Sequence, residues 1–108
     1  MNAIRLHNDI PFFWDAWDIF DYALNTHNDI LAHSFETLEV SKDSVEIQFK
    51  YKISESSSIT QKIKFYSCSA RIDFQTNADW HENRKLLKVY FPLQSIRSDF
   101  ATFATQFG

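Results

Sequence analysis

Two short blocks hold the residue types that could do chemistry. The first, Trp14-Asp15-Ala16-Trp17-Asp18, interleaves flat aromatic rings with carboxylates. Aromatic faces pack on the apolar faces of sugars and carboxylates accept hydrogen bonds from hydroxyls, so Trp14, Asp15, Trp17 and Asp18 form a candidate sugar-lining site. On a helix Asp15 and Asp18 would share one face, an arrangement that invites comparison with the carboxylate pair of a glycosidase. The plainer reading packs both tryptophans in a core or against another domain and uses Asp15 or Asp18 to cap a turn. No residue of this chain is assigned a catalytic role.

The second block is Asp79-Trp80-His81-Glu82. All three polar side chains are of types that ligate metals. Equally, Asp79 can close a turn hydrogen bond and Glu82 can pair with Arg84 or Lys85, so no metal site is assigned. Trp80 is expected to be largely buried and to position the loop. Arg71 and Asp73 share one strand face and are expected to form a structural ion pair across the sheet. His7, His27 and His33 lack ligand spacing and read as solvated or hydrogen-bonded side chains. Cys68 has no motif around it and reads as a small core residue. No Gly-rich phosphate loop, Ser-His-Asp order or CxxC pair is present.

The elements that must position these blocks are mainly strands. Val45, Ile47, Phe49, Tyr51 and Ile53 alternate with polar residues, and after the turn Ser54-Glu55-Ser56-Ser57 so do Ile59, Gln61, Ile63 and Phe65. This predicts a hairpin. Ile72, Phe74 and Thr76, then Leu87, Val89 and Phe91, alternate on either side of a loop rich in turn formers, which predicts a second hairpin-like pair of half-buried strands. Phe35, Leu38 and Val40 break strict alternation and place a bulge near Thr37. Ile4 and Leu6 suggest an edge strand, residues 25–29 a polar turn and residues 100–107 a last strand. Phe13, Ala16, Trp17, Phe20 and Leu24 have helical spacing, so residues 12–24 could hold one short helix or an extended segment. The expected fold is a single mainly β domain over residues 1–108, an antiparallel β-sandwich.

A family resemblance runs through the same blocks. Arg71-Ile72-Asp73-Phe74, Asp79-Trp80-His81-Glu82, Lys85-Leu86-Leu87-Lys88-Val89 and Phe91-Pro92 resemble the C-terminal β region of α-mannosidases of glycoside hydrolase family 38. Ile96-Arg97-Ser98 and Gln106-Phe107-Gly108 continue it, and Asp9-Ile10-Pro11 with the Trp14 block extend it towards the start. The resemblance implies part of a larger β supersandwich, in a parent that hydrolyses α-mannosides by a retaining route with zinc. The nucleophile and zinc ligands lie in the family's N-terminal catalytic part, so no cofactor is expected in this chain and the chain alone is expected to be inactive. Its implied role is to brace the catalytic domain and contact sugar. A free-standing carbohydrate-binding or assembly module is the alternative.

Composition bounds the partners. Of 108 residues 44% are hydrophobic and eleven are Phe, enough for one modest core. A lone Gly, at position 108, is scant for a complete β domain and points to a segment of a longer protein. The net charge of −3, with scattered basic residues, argues against nucleic acid. Lys50, Lys52, Lys62 and Lys64 read as one solvated strand face. No apolar run approaches the roughly 20 residues of a membrane helix. A single Cys fits a reducing, cytoplasmic setting. The expected partners are an α-mannoside or other carbohydrate, the remainder of a mannosidase, and further copies of the chain, because a sandwich cut from its parent exposes apolar faces and sheet edges.

Overall fold

The computed structural model describes residues 2–14, 17–94, 98–102 and 104. Its elements in chain order are β1 (Ala3–Asn8), α1 (Asp21–Leu24), β2 (His27–Ile30), β3 (Ser34–Val40), β4 (Ser44–Lys52), β5 (Ser58–Tyr66), β6 (Ser69–Asp79) and β7 (Lys85–Tyr90). They form two antiparallel sheets, a smaller one of order β2-β1-β7 and a larger one of order β3-β4-β5-β6. The sheets share one core, and the architecture is a β-sandwich.

The strict alternation of β4 and β5 explains the centre of the larger sheet. Their register sets Tyr51 opposite Ile59 and Ile47 opposite Ile63, which keeps the apolar residues on one face. Ile59 and Ile63 are fully buried, and Tyr51 is nearly so. From the smaller sheet Ile4 packs onto Tyr51 and Ile59, with Ile30 and Leu87 beside it. Gln61 shares this buried face, and its amide is satisfied at both ends. Its Oε1 accepts from Asn2 Nδ2 at 3.0 Å and its Nε2 donates to Thr76 Oγ1 at 2.9 Å. That bonding removes the penalty of burying an unpaired amide and ties the start of β1 to β5 and β6.

On the opposite face, lysines alternate with carboxylates. Lys50 faces Glu36 and Lys62 faces Glu46 across neighbouring strands, and Lys64 reaches over β4 to Glu39, as expected for a solvated face. The register of β3 against β4 slips between Thr37 and Glu39, where the broken alternation placed a bulge.

Several expectations are corrected. β6 and β7 are not a hairpin: β6 pairs with β5, β7 pairs with β1, and residues 80–84 cross from one sheet to the other. β1 is not an edge but the centre of the smaller sheet, and residues 27–29, read as turn, belong to its partner β2. The one short helix allowed within residues 12–24 is present as the single turn α1, which buries only Ala23. Residues 100–102 and 104 form no strand, and the rest of the expected last strand lies outside the described residues. Cys68 is exposed in the β5–β6 turn rather than buried.

Candidate functional site

The first block sits on a turn outside the sandwich. Trp14 has φ 59°, the left-handed region that bulky residues avoid at a cost of about 1–2 kcal/mol. The turn is closed by its carbonyl, which accepts from Trp17 N at 2.8 Å and Asp18 N at 3.3 Å. Asp18 Oδ1 accepts from the next backbone amide, Ile19 N, at 2.9 Å. The turn leaves the two indoles 6.4 Å apart, tilted by 40°, and exposed: 71% for Trp14 and 87% for Trp17. Neither is core. Asp15 lies outside the described residues, so no carboxylate pair with Asp18 is drawn.

An aromatic cluster flanks this turn in the chain. Phe12 meets Phe20 and Tyr22 edge-on at 5.9 and 5.8 Å, Phe20 stacks on Tyr22, and the Tyr22 hydroxyl donates to the Ile10 carbonyl. Below it, His7 is buried and its Nδ1 donates to the Ala23 carbonyl at 3.1 Å, with the His27 ring 5.7 Å away. Of the two readings of His7, solvated or hydrogen-bonded, the second holds. Its position inside an alternating strand offered no sign that α1 would cover it.

The second block is a fastening between sheets. His81 N donates to Ser57 Oγ at 2.9 Å, linking the crossing loop to the β4–β5 turn. Ser54 Oγ in turn accepts from Ser56 N and Ser57 N. The Ser54 hydroxyl, followed by that of Ser57, holds the Glu82 carboxyl below the usual carboxylate range. Its Oε1 is buried without a geometric hydrogen-bond partner. The charge of Lys85 adds to this lowering more weakly, and Lys85 Nζ itself donates to Asn8 Oδ1 at 2.6 Å. Trp80 is half-buried, where large burial was expected, because it lies on the crossing loop and not beneath a hairpin.

Asp79 Oδ1 and His81 Nε2 are 2.9 Å apart and exposed. Among the described residues no group of three His, Cys, Asp or Glu side chains stands together, so this donor set does not fit a zinc ion. Arg71 Nε donates to Asp73 Oδ1 at 2.6 Å, and Tyr66 OH donates to Asp73 Oδ2 at 2.7 Å. The Arg71 bond, then that of Tyr66, holds the Asp73 carboxyl low, while Asp73 pushes the Tyr66 phenol up. The expected ion pair exists, but it runs along β6 with a β5 tyrosine attached.

Comparison with known proteins adds the lineage. The family model for the glycosyl hydrolases family 38 C-terminal domain matches residues 1–108. The chain is 37% identical over 110 residues to "Alpha-mannosidase 2C1" of Mus musculus, covering 99% of this chain and 10% of that protein. It is 34% identical over 111 residues to "Alpha-mannosidase G" of Dictyostelium discoideum and 30% identical over 117 residues to "Alpha-mannosidase" of Saccharomyces cerevisiae, with the same coverages. The chain thus spans about a tenth of the length of these curated relatives.

Proposed function

The chain belongs to glycoside hydrolase family 38 as a C-terminal domain sequence, and from that premise we propose that it is a non-catalytic β segment of an α-mannosidase-type glycosidase. In this reading the parent hydrolyses α-mannosides, and the sandwich braces its catalytic part. The exposed Trp14 turn meets sugar at the edge of the active site. Zinc belongs to the catalytic part, and the exposed, lone Cys68 suits a reducing, cytoplasmic setting.

The observation that carries the reading is the pair Trp14 and Trp17. Two large indoles are held beside each other in a turn with a left-handed residue, and both remain largely exposed. Exposed aromatic faces beside a carboxylate suit an amphipathic ligand such as a hexopyranoside. Hydrolysis by a retaining route needs two carboxyl groups about 5 Å apart around the sugar ring, and the described residues build no such cleft.

The test is titration of methyl α-mannoside into the 108-residue chain, followed through the indole NMR signals. The expected result is weak, saturable binding that disappears in Trp14→Ala and Trp17→Ala. Unchanged signals at high sugar concentration would overturn the sugar contact and leave the turn as a contact between domains. Aryl α-mannosides, with or without added zinc, are expected to be untouched. Turnover that vanished in Asp18→Asn would overturn the non-catalytic assignment.

A further inference from the structure

Four strands end the two sheets, and three of these edges carry features that discourage further pairing. β3 is bulged and bears Glu36 and Glu39. β2 has only four residues, and β7 carries Lys85 and Lys88 with Pro92 shortly after it. β6 also bears charges, Arg71, Asp73 and Asp79, and its pairing with β5 slips only at its start, between Phe65 and Tyr66. It is the longest strand, spanning Ser69–Asp79, has no Pro, Gly or Lys, and keeps an unbroken register with β5 from Ile72 to Asp79. Among the described residues nothing pairs with its outer edge. On its inner face Ile72 and Phe74 remain partly exposed beside an apolar cavity of about 230 Å³ that Phe91, Pro92 and Leu93 also line.

We propose that this edge is an interaction surface for a second copy of the chain, with β6 pairing antiparallel to β6 about a two-fold axis centred on Gln75. The charges on the strand choose that register. Centring on Gln75 sets Arg71 opposite the partner's Asp79 and Asp79 opposite the partner's Arg71, two cross-strand ion pairs on the solvated face. Centring on Asp73 would oppose the two Asp73 carboxylates. Centring on Thr76 would oppose Asp73 to Asp79. Centring on Phe74 overlaps the whole strand but sets no opposite charges face to face. Centring on Ile72 pairs Arg71 with Asp73 over a shorter overlap. With Gln75 at the axis, Phe74 lies opposite Thr76 and Ile72 opposite Ala78, so the partner's inner-face side chains extend the core beside the cavity. The contact is isologous and closes at two chains.

This inference does not depend on the sugar contact. Sedimentation equilibrium is expected to show a species of twice 12.8 kDa. Arg71→Glu and Asp79→Lys, both at exposed positions, are each expected to weaken dimerisation about 3- to 30-fold. The double reversal Arg71→Glu with Asp79→Lys is expected to restore it, an outcome that loss of the Arg71–Asp73 or Asp79–His81 contacts cannot produce. In a Cys68→Ser background, Gln75→Cys is expected to join two chains through a short bis-maleimide, because Gln75 lies at the axis. A monomer at high concentration would overturn the proposal and leave the edge to a strand of another polypeptide. A dimer with no rescue in the double reversal, or with no link through position 75, would overturn the register.

Discussion

At the scale of single residues, Glu82 and Trp80 show how one loop serves two sheets. Glu82 sits against the β4–β5 turn, and the hydroxyls of Ser54 and then Ser57 favour its charged form. Its folded-state pKa therefore lies below the ordinary value of 4.5. The sign follows: the stabilisation is complete above 4.5 and drains away as pH falls through the lowered value. Asp73, held low by Arg71 and Tyr66, acts in the same direction. Urea midpoints measured against pH should fall steeply below about pH 4.5, and Glu82→Gln should flatten part of that fall. Equal slopes in the two proteins would remove Glu82 from the acid limb. Trp80 is half-buried, so Trp80→Ala should cost about 1–3 kcal/mol in urea titration, short of the 3–5 kcal/mol of a fully enclosed ring.

At the scale of elements, β5 is the strand on which stability concentrates. It lies between β4 and β6, and Ile59, Gln61 and Ile63 form a continuous buried row on its inner face. Ile63→Ala empties a fully enclosed site and should cost about 2–5 kcal/mol. Val89→Ala, on the half-exposed edge strand β7, should cost under about 1 kcal/mol. Denaturant titration of the two variants checks the contrast. Comparable costs would mean that the smaller sheet contributes as much to the core as the larger one. The smaller sheet has only three short strands and leaves Phe35 and Val40 of β3 uncovered.

At the scale of the molecule, the uncovered apolar side chains fall into distinct regions. One is the aromatic turn of Phe12, Phe13, Trp14 and Trp17, a second is β3, and a third is the side where β6 and the residues after β7 meet. The chain spans about a tenth of the length of its curated relatives, and exposed apolar patches of this kind mark interaction surfaces. The aromatic turn can be separated from folding by experiment. Trp14→Ala and Trp17→Ala remove exposed rings, so each should change the unfolding free energy by less than about 0.5 kcal/mol while abolishing any sugar response. A loss of several kcal/mol would place these rings in the chain's own core.

The sequence by itself determined the local character of most strands and the lineage. Alternation at Val45, Ile47, Phe49 and Tyr51, and again at Ile59, Gln61 and Ile63, states which side chains share a face, because the period of two belongs to each strand alone. Turn formers at Ser54–Ser57 made β4 and β5 neighbours, since a short turn leaves antiparallel pairing as the near option. Tertiary structure decided the partners of everything else. The Ile72 and Leu87 patterns describe two half-buried strands equally well whether they pair with each other or lie in opposite sheets. The choice fell to Ile4 and Leu6 of β1, which take β7 into the smaller sheet across almost the whole sequence. The same long-range choice set the chemistry of the loop. The hydroxyls of Ser57 and Ser54, 25 and 28 positions earlier, outweigh Lys85 in lowering the Glu82 carboxyl, because crossing between sheets carried the loop onto the β4–β5 turn. Pattern is a property of neighbours in the chain; pairing is a property of the surfaces that must be buried together.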